Sequence, residues 1–314
     1  MPRRLLLALG GNAFLPAKGT GTIEEQRSIT MAGMRPLARM LQPDDQVVIT
    51  HGNGPVVGNI LLRNQAAADR IPPMPLDICD ADSQGGIGYM IVQCLGNALL
   101  EAGVERSVTA VVTRVRVDRA DPAFWHPSKP IGPFYPEEEA RRLAGERGWT
   151  VKEDSGRGWR RVVPSPEPQA ILELRGIQDL LRAGHIVVAA GGGGVPVVFD
   201  ARGEERGVEA VVDKDRASAL LASALALDTF VIVTGVSHVA LAFGKPEQKS
   251  LDRITVTEAR GYMAANEFGE GSMKPKIESA LTFLERGGRE VLITSPEDLA
   301  PALAGRSGTR IVPD

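Results

Sequence analysis

The chain has 314 residues, 43% of them hydrophobic and 24% charged, with a formal net charge of −3. This is the composition of a soluble globular protein long enough for one large domain or two lobes, and it lacks the basic footprint of a nucleic-acid or anionic-membrane binder. Two cysteines (Cys79, Cys94) and four scattered histidines (His51, His126, His185, His238) show no metal-ligand spacing, so no metal ligands are assigned and both thiols are read as reduced.

Residues 5–9 form a short apolar run, as expected of a strand buried on both faces. Gly10-Gly11-Asn12 ends it too early for a secretory h-region, and no later run is long enough to span a bilayer, which predicts a cytoplasmic protein. Thr22-Ile23-Glu24-Glu25 fits a capping box that starts a helix, and Pro36 is expected to kink or break it. Residues 46–50 read as a second buried strand, ending at His51-Gly52-Asn53-Gly54-Pro55. Helices are expected over 56–68 and 83–102, and a strand over 108–112. Strands alternating with helices predict parallel βαβ units, whose binding crevice lies at the loops after the strand C-termini, where both Gly-Asn loops fall.

Residues 118–168 interrupt the alternation with all three tryptophans and eight prolines. A short helix over 137–145 and a hairpin of 149–152 with 159–163 predict an inserted subdomain, and an insertion this long reads as a lid or binding element. Lys129, between Ser128 and Pro130, lies on it.

The alternation resumes with a helix over 175–183, Gly184 as its C′ residue and a strand over 185–190. Gly191 to Gly194 follow, where a tight turn needs only one or two glycines and four let backbone N–H groups turn toward an anion. Asp213, Lys214 and Asp215 stand where an apolar run feeds a helix. Asp213 suits the N-cap and Asp215 the first turn, but Lys214 opposes the helix dipole and needs an anion, supplied by the flanking aspartates or by a ligand. A strand over 229–234 comes next. Lys276, one residue after Pro275 at the start of a helix over 277–286, meets the same conflict. Strands over 290–294 and 309–312 close the chain.

Glycine loops at strand ends, with Lys129, Lys214 and Lys276, suit phosphoryl transfer, which needs positioning and positive charge. No Walker loop, protein-kinase signature, nucleophile elbow or dinucleotide-binding glycine fingerprint is present.

Several segments resemble the carbamate kinases, of the amino-acid kinase fold. They include Ala8-Leu9-Gly10-Gly11-Asn12-Ala13, Thr50-His51-Gly52-Asn53-Gly54-Pro55, Ser83-Gln84-Gly85-Gly86-Ile87-Gly88-Tyr89 and Lys129-Pro130-Ile131-Gly132. Ala189-Ala190-Gly191-Gly192-Gly193-Gly194, Val211-Val212-Asp213-Lys214-Asp215 and Gly271-Ser272-Met273-Lys274-Pro275-Lys276 continue the series in the family's order across nearly the whole chain.

The resemblance implies a single α/β domain over 1–314, a three-layer αβα sandwich around a mostly parallel sheet. A lid over 118–168 and a nucleotide-binding half over 185–314 belong to it, usually in a homodimer. It further implies reversible transfer between carbamoyl phosphate plus ADP and carbamate plus ATP, with Mg²⁺, in arginine or purine-nitrogen catabolism. Lys214 and Lys276 would grip the transferring phosphoryl group, Asp215 would orient them, and Lys129 would reach from the lid. Gly10, Gly11, Asn12, Gly52, Asn53 and Gly54 would hold the carbamoyl end through backbone and amide donors. Gly191, Gly192, Thr234, Gly235 and Met273 would serve the nucleotide.

The chain departs from the family pattern at Val56 (usually Gln), Lys274 (usually Gly), Gly235 (usually Asp), and Ala240 and Ala242 (usually Tyr and Asn). Two alternatives stand beside the main reading. A kinase for another small acid or phosphate ester is opposed by the Lys129 insertion. A non-catalytic nucleotide or metabolite sensor is favoured by Gly235 and Ala240, and opposed by the intact Lys129, Lys214, Asp215 and Lys276.

Overall fold

In the computed structural model, which describes residues 2–10, 21–154, 156–269 and 273–314, the apolar runs pair into a sheet of eight strands. Across it lie Arg253–Thr255, Thr309–Val312, Glu290–Thr294, Thr229–Val233, Arg4–Leu9, Gln46–His51, Ile186–Val188 and Val108–Ala110. Every neighbouring pair is parallel except Glu290–Thr294 with Thr309–Val312.

The continuous apolar runs follow from burial on both faces. Leu6, Ala8, Val48, Val187, Phe230 and Ile232 face one core, while Leu5, Leu7, Val47, Ile49, Val188 and Val231 face the other. Helices Lys214–Ala224 and Lys274–Glu285 cover the first core with Ala217, Leu221, Ile277 and Phe283. The Phe283 ring meets Phe230 edge-on at 5.7 Å. Helices Ile23–Met40 and Leu76–Glu101 cover the second with Met34, Leu37, Ile91 and Leu95. Each such side chain contributes about 1.5–3 kcal/mol by leaving water, which makes the three-layer αβα sandwich the stable arrangement.

Register decides where the loops emerge. Leu9 pairs with both His51 and Val233, and Val233 pairs with Thr294, so these strands end in one line. Gly10, Gly52-Asn53 and Thr234-Gly235 therefore leave the same edge.

The expected break at Pro36 does not occur: the helix runs unbroken over Ile23–Met40 with Pro36 inside it. One backbone bond is lost, but Met34, Leu37 and Ala38 are buried around the proline, and their packing carries the helix through. At its N-terminus Thr22 caps Glu25, while the Glu25 carboxylate accepts from Gly21 rather than from the cap residue itself. The helix expected over 83–102 starts at Leu76, because Leu76, Cys79 and Asp80 are buried on the same face. The run read as one strand over 108–112 stays in the main sheet only over Val108–Ala110. Arg114–Val117 then enters a second sheet with Glu205–Gly207, Val195–Phe199 and Pro168–Ile171.

Within 118–168, Lys129–Tyr135, Trp159–Val163 and Thr150–Glu153 form an antiparallel sheet beside helix Glu137–Arg147. Arg161 stacks over Trp149 at 5.2 Å and Arg141 over Trp159 at 4.9 Å, giving this unit its own aromatic cluster. It meets the helix Gly54–Ala66 so closely that a Cβ on Gly58 would lie 2.9 Å from the Gly132 Cα.

Replacing Pro36 restores a helical hydrogen bond in a helix already formed. Pro36→Ala is expected to stabilise the protein by on the order of 1–3 kcal/mol, read as a higher thermal midpoint. A lower midpoint would show that the proline ring's packing outweighs the missing bond.

Candidate active site

The helix Lys214–Ala224 begins where Asp213 Oδ1 accepts from the backbone nitrogens of Asp215 at 2.8 Å and Arg216 at 3.3 Å. The cap leaves Asp213 Oδ2 free for Lys129, whose Nζ donates to it at 2.6 Å from the inserted sheet. Two residues on, in the first turn, Asp215 is 3% exposed and holds two ammonium groups. Lys214 Nζ donates to Oδ1 at 2.6 Å and Lys276 Nζ to Oδ2 at 3.0 Å. Lys276 comes from the first turn of Lys274–Glu285, so two helix N-termini meet at one carboxylate.

Burial pushes the carboxyl of Asp215 up, but the ammonium charges of Lys214 and Lys276 outweigh it and hold the group below its ordinary value. Asp213 behaves alike, with Lys129 as its main counter-charge. Three ammonium groups stand against two carboxylates, leaving a positive excess beside two helix N-termini. Such an excess suits an anion.

These groups line a cavity of about 320 Å³ with Gly52, Asn53, Gly54 and Gly192. Asn53 and Gly54 open the helix Gly54–Ala66, the third helix N-terminus to reach the cavity. The structure thus brings Lys129, Lys214, Asp215, Lys276, Gly52, Asn53, Gly54 and Gly192 together. Gly10 ends its strand on the same sheet edge, its N–H bonded to the Val233 carbonyl at 3.1 Å. Gly11 and Asn12 lie outside the described residues. Thr234 and Gly235 leave the same edge but do not line this cavity, and Met273 directly precedes the Lys276 helix. Gly235 is exposed, and a Cβ there would meet nothing within 4 Å, so the backbone has no need of glycine at that position.

The glycine run has a packing reason beyond anion access. A Cβ on Gly191 would lie 2.3 Å from His51 Nε2, and one on Gly192 2.2 Å from Asn53 Nδ2. Gly193 and Gly194 press as closely on the Val212 carbonyl and the Val115 side chain, and Gly192, Gly193 and Gly194 all have positive φ. Gln84 fixes the chain that supports this turn, exchanging hydrogen bonds with both backbone groups of Thr113 at 2.8 and 3.1 Å. The Thr113 hydroxyl then accepts from Ala190 N.

Sequence reasoning missed several of these residues. The sequence marks Asp213 as a cap and a candidate counter-ion of Lys214, but not as the partner of Lys129. Asp80, Ser83, Gln84 and Thr113 carried no assigned role, although buried polar residues on a helix facing glycine loops are the signal that could have found them. Among the described residues, no three of His, Cys, Asp or Glu gather as a metal-binding group.

Burial brings the His51 imidazole down to about 4, opposed by the Gly52 carbonyl and reinforced by the charge on Lys214. A folded state that keeps this ring neutral is fully favoured above about pH 6.5. It loses stability as the pH falls toward 4, because the unfolded chain takes up a proton that the fold refuses. The effect is on the order of 3 kcal/mol. Denaturant midpoints measured at pH 7 and pH 4.5 should drop less for His51→Gln than for wild type. Equal drops would show that His51 is not held neutral.

The comparisons with known proteins agree with this geometry. The family model described as "Amino acid kinase family" matches residues 3–295. The carbamate kinase of Thermococcus kodakarensis is 49% identical over 313 residues, covering 99% of each chain. That of Pyrococcus furiosus is 47% identical over 315 residues, covering 100% of both. A solved structure, the carbamate kinase from Giardia lamblia bound to AMP-PNP, superposes with a TM-score of 0.92 at 39% identity, covering 100% of this chain and 99% of that one. The chain belongs to the amino acid kinase family, in its carbamate kinase branch.

Proposed function

We propose that this protein is a carbamate kinase that moves a phosphoryl group between carbamoyl phosphate and ADP. The observation that carries the reading is the buried Asp215 carboxylate gripping Lys214 and Lys276, with Lys129 facing them across the same cavity. In the ATP-forming direction a β-phosphate oxygen of ADP attacks the phosphorus of carbamoyl phosphate. The bond from phosphorus to the carbamate oxygen breaks, and carbamate leaves with the electron pair. Charge then spreads over the equatorial phosphoryl oxygens, where Lys214 and Lys276 stabilise it, and no residue needs to form a covalent bond. Asp215 prevents the two ammonium groups from repelling each other apart before the phosphate arrives. Gly10, Gly52, Asn53 and Gly54 receive the carbamoyl end, together with Gly11 and Asn12.

Mg²⁺ would arrive with the nucleotide and supply positive charge at its phosphate oxygens, since among the described residues no three of His, Cys, Asp or Glu gather as a separate metal-binding group. The segment 118–168 acts as the lid, delivering Lys129 to the phosphate, while 185–314 carries the nucleotide, with Gly191, Thr234, Gly235 and Met273 on its side. A cytoplasmic homodimer working in arginine catabolism is the part of the proposal supported by family resemblance alone. The complete set of charged residues counts against a non-catalytic sensor.

A coupled assay of ATP formed from ADP and carbamoyl phosphate tests the reading. Lys214→Ala and Lys276→Ala are each expected to lower kcat by about 10²–10³-fold with a smaller change in KM, since each removes charge stabilisation that grows in the transition state. Either variant within a few-fold of wild type would take that lysine out of the reaction.

Lys129→Ala should act differently, mainly raising KM for carbamoyl phosphate and leaving that for ADP near wild type. An equal effect on both substrates would place Lys129 outside the carbamoyl side.

A further inference from the structure

Asn53 occupies the N-cap position of the helix Gly54–Ala66, yet its side chain makes no cap. Its amide nitrogen turns instead to the helix Leu76–Glu101, donating to Asp80 Oδ1 at 3.1 Å and to Ser83 Oγ at 2.8 Å. Which way this amide points is settled by Ser83. The Ser83 hydroxyl donates its single proton to the Asp80 backbone carbonyl at 2.7 Å, so toward Asn53 it can only accept. The opposite orientation would set the Asn53 oxygen against the lone pairs of Ser83.

Gly192 closes the other side, where even a methyl group would collide with the amide. Both N–H groups of Asn53 are therefore committed, and among the described residues nothing donates to its Oδ1. Asn53 is 4% exposed and lines the lysine cavity. Asp80 is 2% exposed, and its second oxygen has no partner among the described residues. Burial pushes its carboxyl well above the ordinary carboxylate value. Such a carboxyl contributes an acceptor to Asn53 without placing a full negative charge beside an incoming phosphate.

We infer that Asn53 presents its carbonyl oxygen to the amino group of carbamoyl phosphate, and that Asp80 and Ser83 are positioning residues that hold the amide in this orientation. The inference rests on the carbamate kinase reading and sharpens it, replacing an amide donor at Asn53 with an acceptor. An acceptor distinguishes substrates that differ only in a hydrogen-bond donor. Acetyl phosphate has the same shape but a methyl group in place of the amino group. With it bound, the Asn53 oxygen is buried without a partner, which disfavours the methyl analogue by about 1–3 kcal/mol, or roughly 5- to 150-fold.

The test is the ratio of kcat/KM for carbamoyl phosphate to that for acetyl phosphate, with ADP as acceptor. Wild type should prefer carbamoyl phosphate. Asp80→Ala should narrow the preference by about ten-fold, with KM for ADP unchanged. Asp80→Asn keeps an acceptor at Oδ1 and should restore the ratio to within about three-fold of wild type. If Asp80→Ala does not fold, Ser83→Ala makes the same measurement, because without that acceptor the amide is free to turn. An unchanged ratio in the folded Ala variants overturns the positioning role, as does an equal loss in Asp80→Asn. Wild type using both phosphates equally well overturns the inference and leaves the kinase reading standing. No ATP from either phosphate overturns the kinase reading itself.

Discussion

The structure depends on one buried carboxylate. Asp215 sits where two helices start, each with a lysine in its first turn and each therefore electrostatically unfavourable on its own. Burying a single carboxylate costs several kcal/mol, and burying either ammonium without it costs as much. Together they are tolerated, because each carboxylate oxygen takes one ammonium group and the remaining positive excess faces a cavity. The helices cannot separate without exposing that imbalance.

The surrounding fold keeps this arrangement in place. Thr50 on the sheet bonds Ser218 at 2.7 Å, and Ser218 in turn bonds the Lys214 carbonyl at 2.7 Å, anchoring the helix start to a strand. Ala217, Leu221, Ile277 and Phe283 lock both helices onto one face of the sheet. The opposite wall belongs to other elements: Asp80, Ser83 and Gln84 lie on the helix that covers the second core, Asn53 starts a helix that packs in a separate cluster with Leu76 and Cys79, and the buried glycine turn is the seam between the two walls. At that seam no side chain larger than hydrogen fits against His51 or Asn53. Along that seam the cavity wall is therefore set by close contacts among small groups.

Lys129 has a different status. It is more exposed than Lys214 or Lys276, and it comes from a sheet stabilised by its own aromatic and arginine contacts. Its partner Asp213 uses one oxygen to cap the helix and the other to hold Lys129. The residue that orders the helix start thus also positions the inserted segment over the cavity.

Local patterns were enough for much of the chain. Double-sided apolar runs identified the buried strands, alternation identified the parallel sheet, and two lysines opposing helix dipoles signalled the need for a counter-anion, which Asp215 supplies to both. The Asp213 cap and the hairpin of the insertion were equally legible, since capping and turn chemistry act over a few residues. What the tertiary structure decided involves groups far apart in the chain. It carried a helix through Pro36 because Met34, Leu37 and Ala38 are buried against the sheet. It moved Arg114–Val117 into a second sheet with strands more than fifty residues downstream. It also joined Lys129 to Asp213, Lys276 to Asp215 and Asn53 to Asp80, pairs separated by 84, 61 and 27 residues. A periodic pattern records which face of an element is buried. It does not record which polar group waits on the element packed against it, because that partner is chosen by register and layer order and not by neighbours in the chain.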